Sequence, residues 1–203
     1  MAQITALFWD VGGVLLTNGW DRHERRRAAQ KFGLDWEDFE DRHELVVGRF
    51  ETGKLSLDRY LERTIFYRQR DFDRDVFKAY MFDQSKRIEG TLDVMERIAH
   101  SGRYLMGTVN NESRELNLHR IEHFGLRSYF SLFLSSCFLG VQKPEDEIFR
   151  FALDLSQRKP EECLFIDDRE LNVECAARLG LQTVHFKNAR QLERDLQSLG
   201  LEF

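Results

Sequence analysis

The chain has 203 residues, 42% hydrophobic and 32% charged, a balance that fits a globular protein with one main core and room for a small insertion. Its net charge of −5 argues against a nucleic-acid binder, and no apolar run approaches the roughly 18 residues that span a bilayer. No basic region precedes the first apolar run, as it would in a signal peptide, and three scattered cysteines (Cys137, Cys163, Cys175) without metal-ligand spacing fit a reduced, cytoplasmic setting.

The first apolar run, Ile4 to Trp9, ends abruptly at Asp10-Val11-Gly12-Gly13. Near-continuous apolarity of this kind predicts a strand buried on both faces, the kind found in parallel sheets covered by helices. From about residue 16 to residue 85 the pattern is helical. A charged helix runs from Arg22 to Phe32 and stops at Gly33. Asp35 is a candidate N-cap for a helix from Trp36 to Phe50, and Ser56 for one striped with Leu57, Tyr60, Leu61 and Ile65. A further helix is expected from Asp73 to Phe82. The block holds no convincing strand, and its aromatic stripes are expected to be its own core.

Beyond Ile88 helices and strands alternate. Strands are expected at Tyr104–Thr108, near Leu132–Leu134, at Cys163–Ile166 and at Thr183–Phe186. Helices are expected at Thr91–His100, Ser113–Phe124, Glu145–Leu155, Leu171–Leu179 and Ala189–Leu199. Strands separated by single helices imply right-handed crossovers and a parallel sheet. The fold class is therefore α/β, with a discontinuous core of residues 1–15 and 86–203 and a helical insertion of residues 16–85 after the first strand.

Polar residues gather where strands of this core end: Asp10 after the first, Thr108-Val109-Asn110-Asn111 after the second, Lys143-Pro144 after the third, Asp167-Asp168 after the fourth. Ligands of open parallel sheets bind at that edge. Three acids suit a hard cation such as Mg²⁺, a hydroxyl with helix-opening N–H groups suits an anion, and a lysine neutralises either. Each piece also has a plain reading, as a turn former, a helix cap or a solvated charge; four such sets together favour chemistry.

The arrangement resembles the haloacid dehalogenase (HAD) superfamily over the whole chain. Asp10-Val11-Gly12-Gly13-Val14 looks like its first motif and Thr108 its second. Lys143-Pro144 with Ile148-Phe149 looks like its third, and Phe165-Ile166-Asp167-Asp168 with Asn172 its fourth. The resemblance implies a parallel Rossmann-like core with a helical cap over the site. It implies Asp10 as nucleophile, Thr108, the Val109 backbone N–H and Lys143 as phosphate ligands, and Mg²⁺ on Asp10, Asp168 and the Gly12 carbonyl, supported by Asp167. Two departures matter. Val109 stands where many relatives have Asn after the second-motif hydroxyl, which leaves only its backbone N–H as a ligand. The family's phosphatases carry a second Asp two residues after the nucleophile as general acid and base, and here that position is Gly12. Asp21 and His23, at the entry to the cap, are the candidate replacements.

Three functions follow. The leading expectation is a Mg²⁺-dependent phosphatase of a small phosphorylated metabolite, a monomer or weak homodimer without nucleic-acid or membrane partners. The alternatives are a metal-free 2-haloacid dehalogenase, which Gly12 favours slightly, and a non-catalytic binding relative. The paired acids Asp167-Asp168 favour the phosphatase.

Overall fold

The computed structural model describes residues 2–203. Five parallel strands make one sheet: β1 (Ala6–Trp9), β2 (Leu105–Asn110), β3 (Leu132–Ser135), β4 (Cys163–Asp167) and β5 (Gln182–His185), in the spatial order β3-β2-β1-β4-β5. All four residues of β1 are buried, as its unbroken apolarity demands of a central strand. The chain leaves β1 toward β2 and β3 on one side and returns to β4 and β5 on the other. The order therefore reverses beside β1, the place where such sheets open a crevice for ligands.

Alternation along the strands splits the core in two. Leu7 and Trp9 face a layer with Leu92, Met95 and Ile98 of α6 (Thr91–His100) and Leu192 and Leu196 of α11 (Ala189–Ser198). Ala6 and Phe8 face the other layer, with Ile148, Phe149 and Ala152 of α9 (Asp146–Ser156) and Cys175 and Ala176 of α10 (Glu170–Arg178).

Between β1 and α6 lie five helices: α1 (Arg22–Lys31), α2 (Trp36–Glu44), α3 (Val47–Glu51), α4 (Leu57–Thr64) and α5 (Arg74–Asp83). Asp21, Asp35 and Ser56 cap α1, α2 and α4, each side chain accepting backbone N–H bonds of the first turn. These helices bury a cluster of their own, with Trp20, Phe39, Phe50, Tyr60 and Phe77 at its centre. Leu116, from α7 (Arg114–His123) of the sheet-bearing part, joins it. The helix expected from Trp36 to Phe50 is broken. Val46 leaves the helical region at φ −125°, and Val46-Val47-Gly48 is a run of weak helix formers. The break re-aims the last turn of this segment, which ends at Glu51.

The two connections to this helical block run side by side. Thr17 N–H donates to the Lys86 carbonyl (2.8 Å), the Thr17 hydroxyl donates to the Gln84 carbonyl (2.7 Å), and that same hydroxyl accepts from Lys86 N–H (2.9 Å). Among the described residues no helix is long and apolar enough to cross a membrane.

Candidate active site

Register builds the site. Trp9 pairs with Ile166, and Asp10 N–H donates to the Ile166 carbonyl at 2.9 Å, so Asp10 is set beside Asp167 across the reversal of strand order. Lys143, in the loop before α9, reaches both: its Nζ lies 2.9 Å from Asp10 Oδ2 and 2.6 Å from Asp167 Oδ2. Asp10 Oδ1 accepts Val11 N–H at 2.7 Å. Asp167 is fully engaged, accepting Arg169 N–H (2.8 Å) and both contacts of the Asn172 amide (3.1 Å each) besides the lysine. Asp168 is not: its Oδ1 is buried without a hydrogen-bond partner, and its carboxylate rests on Gly13, where a Cβ would come within 2.3 Å of Oδ2. Carboxylate oxygens of Asp10, Asp167 and Asp168 all lie within 4.8 Å of one another.

Burial sets the charges. Desolvation raises the Asp10 carboxyl to about 7, Lys143 opposing it and the two neighbouring acids adding to it. Desolvation also works against the Lys143 ammonium, but Asp10 and Asp167 outweigh it and hold its pKa above the ordinary lysine range. The Asp168 carboxyl is raised by burial and then by Asp167. Two acids sharing one lysine leave an excess of negative charge that a divalent cation would relieve.

Thr108 and Val109 are not at this site, and the structure corrects their assignment. β2 runs on to Asn110, which places Thr108 inside the strand opposite Trp9. Its side chain is fully buried there, with Oγ1 unpartnered, on the opposite face of the sheet from Asp10. Val109 pairs with Leu134 in the ladder, its side chain in the core. The residue that reaches the cavity is Asn111. Its amide brackets Lys143, Oδ1 accepting Lys143 N–H and Nδ2 donating to the Lys143 carbonyl, both at 2.8 Å. An Asn-Asn pair after a strand was the signal for it in the sequence.

Asp10, Gly12 and Lys143 open into a cavity of about 550 Å³ between the sheet edge and the helical block, whose wall includes Trp20, Arg25, Glu40, His43, Phe50 and Glu51. Arg25 makes a two-pronged pair with Glu40 (3.0 and 2.9 Å), which holds that carboxyl below its usual range despite its burial. His43 bonds Tyr60 Oη at 2.9 Å, and burial with Arg25 nearby pushes it down to about 3, so it stays neutral. Asp21 also lines the cavity, but its carboxylate caps α1 and is held below its ordinary pKa by Glu24 and backbone N–H groups, against the pull of burial. His23 is exposed and does not line the cavity, which removes it as a proton donor there.

Beside Gly12 sits a buried cation that the sequence did not single out. Arg120 of α7 donates to Ser85 Oγ (3.0 Å) and to the carbonyls of Thr17 (3.2 Å) and Asn18 (2.8 Å), and pairs with Glu112 Oε2 at 3.0 Å. One guanidinium thus ties both connections of the helical block to the loop after β2. A side chain at position 12 would meet Asn18 Oδ1 at 3.2 Å and Arg120 Nη1 at 3.4 Å.

Residues 4–180 match the family of haloacid dehalogenase-like hydrolases. The chain belongs to that family. Among HAD relatives, flavin mononucleotide hydrolase 1 of Arabidopsis thaliana is 30% identical over 162 residues, 80% of this chain and 65% of that protein. The glyceraldehyde 3-phosphate phosphatase of Pyrococcus furiosus is 29% identical over 117 residues, 57% of this chain and 48% of that protein. The chain thus spans less than two thirds of either relative. A HAD family enzyme from Bacteroides thetaiotaomicron has the same fold, with TM-score 0.77 and 20% identity over 99% of this chain and all of its own. A HAD-like hydrolase from Porphyromonas gingivalis superposes equally well, at 25% identity and complete coverage of both chains. The Bacteroides enzyme has also been crystallised with magnesium and inorganic phosphate.

Proposed function

We propose that this HAD hydrolase is a Mg²⁺-dependent phosphatase of a small phosphorylated metabolite, working through an aspartyl-phosphate on Asp10. The observation that carries the reading is the convergence of three carboxylates with one oxygen, Asp168 Oδ1, buried and unpartnered. A dehalogenase attacking carbon has no use for that donor. The cation would be held by Asp10, Asp168 and the Gly12 carbonyl, with Asp167 keeping Lys143 and the loop in place, and it would supply charge neutralisation for the transferring phosphoryl group. That phosphatases of metabolites stand among the relatives supports the class.

The chain's own residues divide the work. Asp10 Oδ2 attacks phosphorus and the bond to the leaving oxygen breaks; water then attacks the acyl phosphate and returns Asp10 as carboxylate. Lys143 orients the nucleophile and balances the phosphoryl oxygens, its position fixed by Asn111. The helical block, residues 16–85, acts as the lid that excludes water during the reaction. The test is release of phosphate from an aryl phosphate. Turnover should require Mg²⁺, vanish in excess EDTA and fall on the order of 10⁴-fold or more in Asp10→Asn with the melting curve preserved. Hydrolysis unchanged in EDTA would overturn the metal and revive the dehalogenase reading.

A further inference from the structure

We propose that Glu51, carried by the helical block, is the general acid and base that this chain uses in place of the missing aspartate at position 12. The inference rests on the phosphatase reading of the site. Its ground is a census of the carboxyls lining the cavity. Asp10 is the nucleophile. Glu40 is paired with Arg25, Asp21 caps α1, and Glu44 is exposed. Glu112 has both oxygens engaged, Oε2 by Arg120 and Oε1 by the N–H and hydroxyl of Ser113. Glu51 alone, among the described residues, has a carboxylate in the cavity wall that is largely buried yet without a hydrogen bond or ion pair.

Its position is built rather than incidental. α3 ends at Glu51, and the Glu51 carbonyl accepts from Ser136 Oγ at 2.7 Å, in α8 (Ser136–Leu139) of the sheet-bearing part. The same hydroxyl accepts Glu112 N–H at 3.0 Å. Just beyond, Gly53 at φ +71° is pressed so close to Cys137 that a Cβ would come within 2.3 Å of its carbonyl oxygen. The end of α3 is thus docked on the core at the rim of the site.

The environment suits the task. Burial, and then the facing Glu112, push the Glu51 carboxyl up to about 7; Arg169, Arg25 and Lys143 oppose the shift, and His43 on α2 is neutral. A carboxyl poised near neutrality is protonated often enough to donate and ionised often enough to accept. In the first step its proton passes to the leaving oxygen as the P–O bond breaks, giving the free alcohol. In the second, Glu51 carboxylate takes a proton from the water that attacks the aspartyl-phosphate.

The test uses graded leaving groups: a series of aryl phosphates from 4-nitrophenyl to phenyl, together with alkyl phosphates, each with Mg²⁺. For Glu51→Gln, kcat on alkyl phosphates should fall about 10²–10⁴-fold while 4-nitrophenyl phosphate, whose leaving group needs no proton, is largely spared. The fall of wild-type kcat/KM as pH rises through about 7 should disappear in the variant. Glu51→Asp, which keeps an acid at shorter reach, should recover part of the alkyl rate and controls for folding. A loss equal across all leaving groups, or no loss, would overturn the role of Glu51 with the phosphatase intact. Failure of the wild-type protein to hydrolyse any of the esters would overturn both.

Discussion

At the scale of single residues the site is a balance of buried charge, and Glu51 gives it a measurable signature. Its folded pKa of about 7 lies above the ordinary glutamate value of 4.5. A raised carboxyl adds no penalty below the unfolded value and destabilises the fold progressively as pH rises from 4.5 through 7. Glu51→Gln removes that penalty. Urea unfolding should show the variant near wild-type stability at pH 5 and more stable by about 1–2 kcal/mol at pH 8. The residues that stood out in the sequence were those gathered together at or after the strand ends: Asp10, Lys143 and Asp167-Asp168. Thr108 was misread because polarity mimics the end of a strand. Asn110 is polar and still inside β2, since Ser135 Oγ and Asn117 Oδ1 satisfy its amide (2.8 and 3.2 Å). Where a strand stops is decided by its neighbours in the sheet, which a linear reading does not contain.

At the scale of elements the same lesson recurs. The amphipathic helices and their caps were legible because each is specified locally, by an apolar stripe and one capping side chain. The division of one expected helix into α2 and α3 was not, because Val46 and Phe50 keep the spacing of a continuous helix while packing into the cluster around Tyr60. The turn that follows offers a direct probe of this docking. Gly53→Ala adds a left-handed conformation, which costs about 1–2 kcal/mol, to a collision with the Cys137 carbonyl. Chemical denaturation should register a loss of roughly 2 kcal/mol or more, with kcat reduced as the end of α3 is displaced. Gly33→Ala, at φ +59° but with open space around its Cβ, should show the conformational part alone.

At the scale of the whole molecule, two bodies of packed side chains meet over a shared polar seam, and the candidate cation site lies on that seam. Three carboxylates, two of them paired with one lysine, repel each other unless a cation intervenes. Binding to the folded chain alone should raise stability by RT ln(1 + [Mg²⁺]/Kd), about 2.7 kcal/mol at a hundredfold excess over Kd. Thermal melting across a Mg²⁺ titration should show the midpoint climbing in wild type and much less in Asp168→Ala. A midpoint indifferent to Mg²⁺ in wild type would count against the metal site. The parallel sheet could be read from alternation alone, but the meeting of the two bodies could not. It depends on Ser136, Arg120 and Gly53, none of which belongs to a recognisable pattern.

Arg120 has a consequence for what position 12 can hold. A change of Gly12 to aspartate would restore the family's usual acid on paper, yet the new carboxylate would arrive against Arg120 Nη1 and Asn18 Oδ1, in ground already held by the tie between both connections and Glu112. Its nearest cation would claim it before any substrate did. Gly12→Asp should therefore leave kcat on alkyl phosphates no higher than wild type, measured by phosphate release, and should loosen Glu112. The clasp that Arg120 makes on both connections of the helical block and an acid at position 12 thus compete for the same ground.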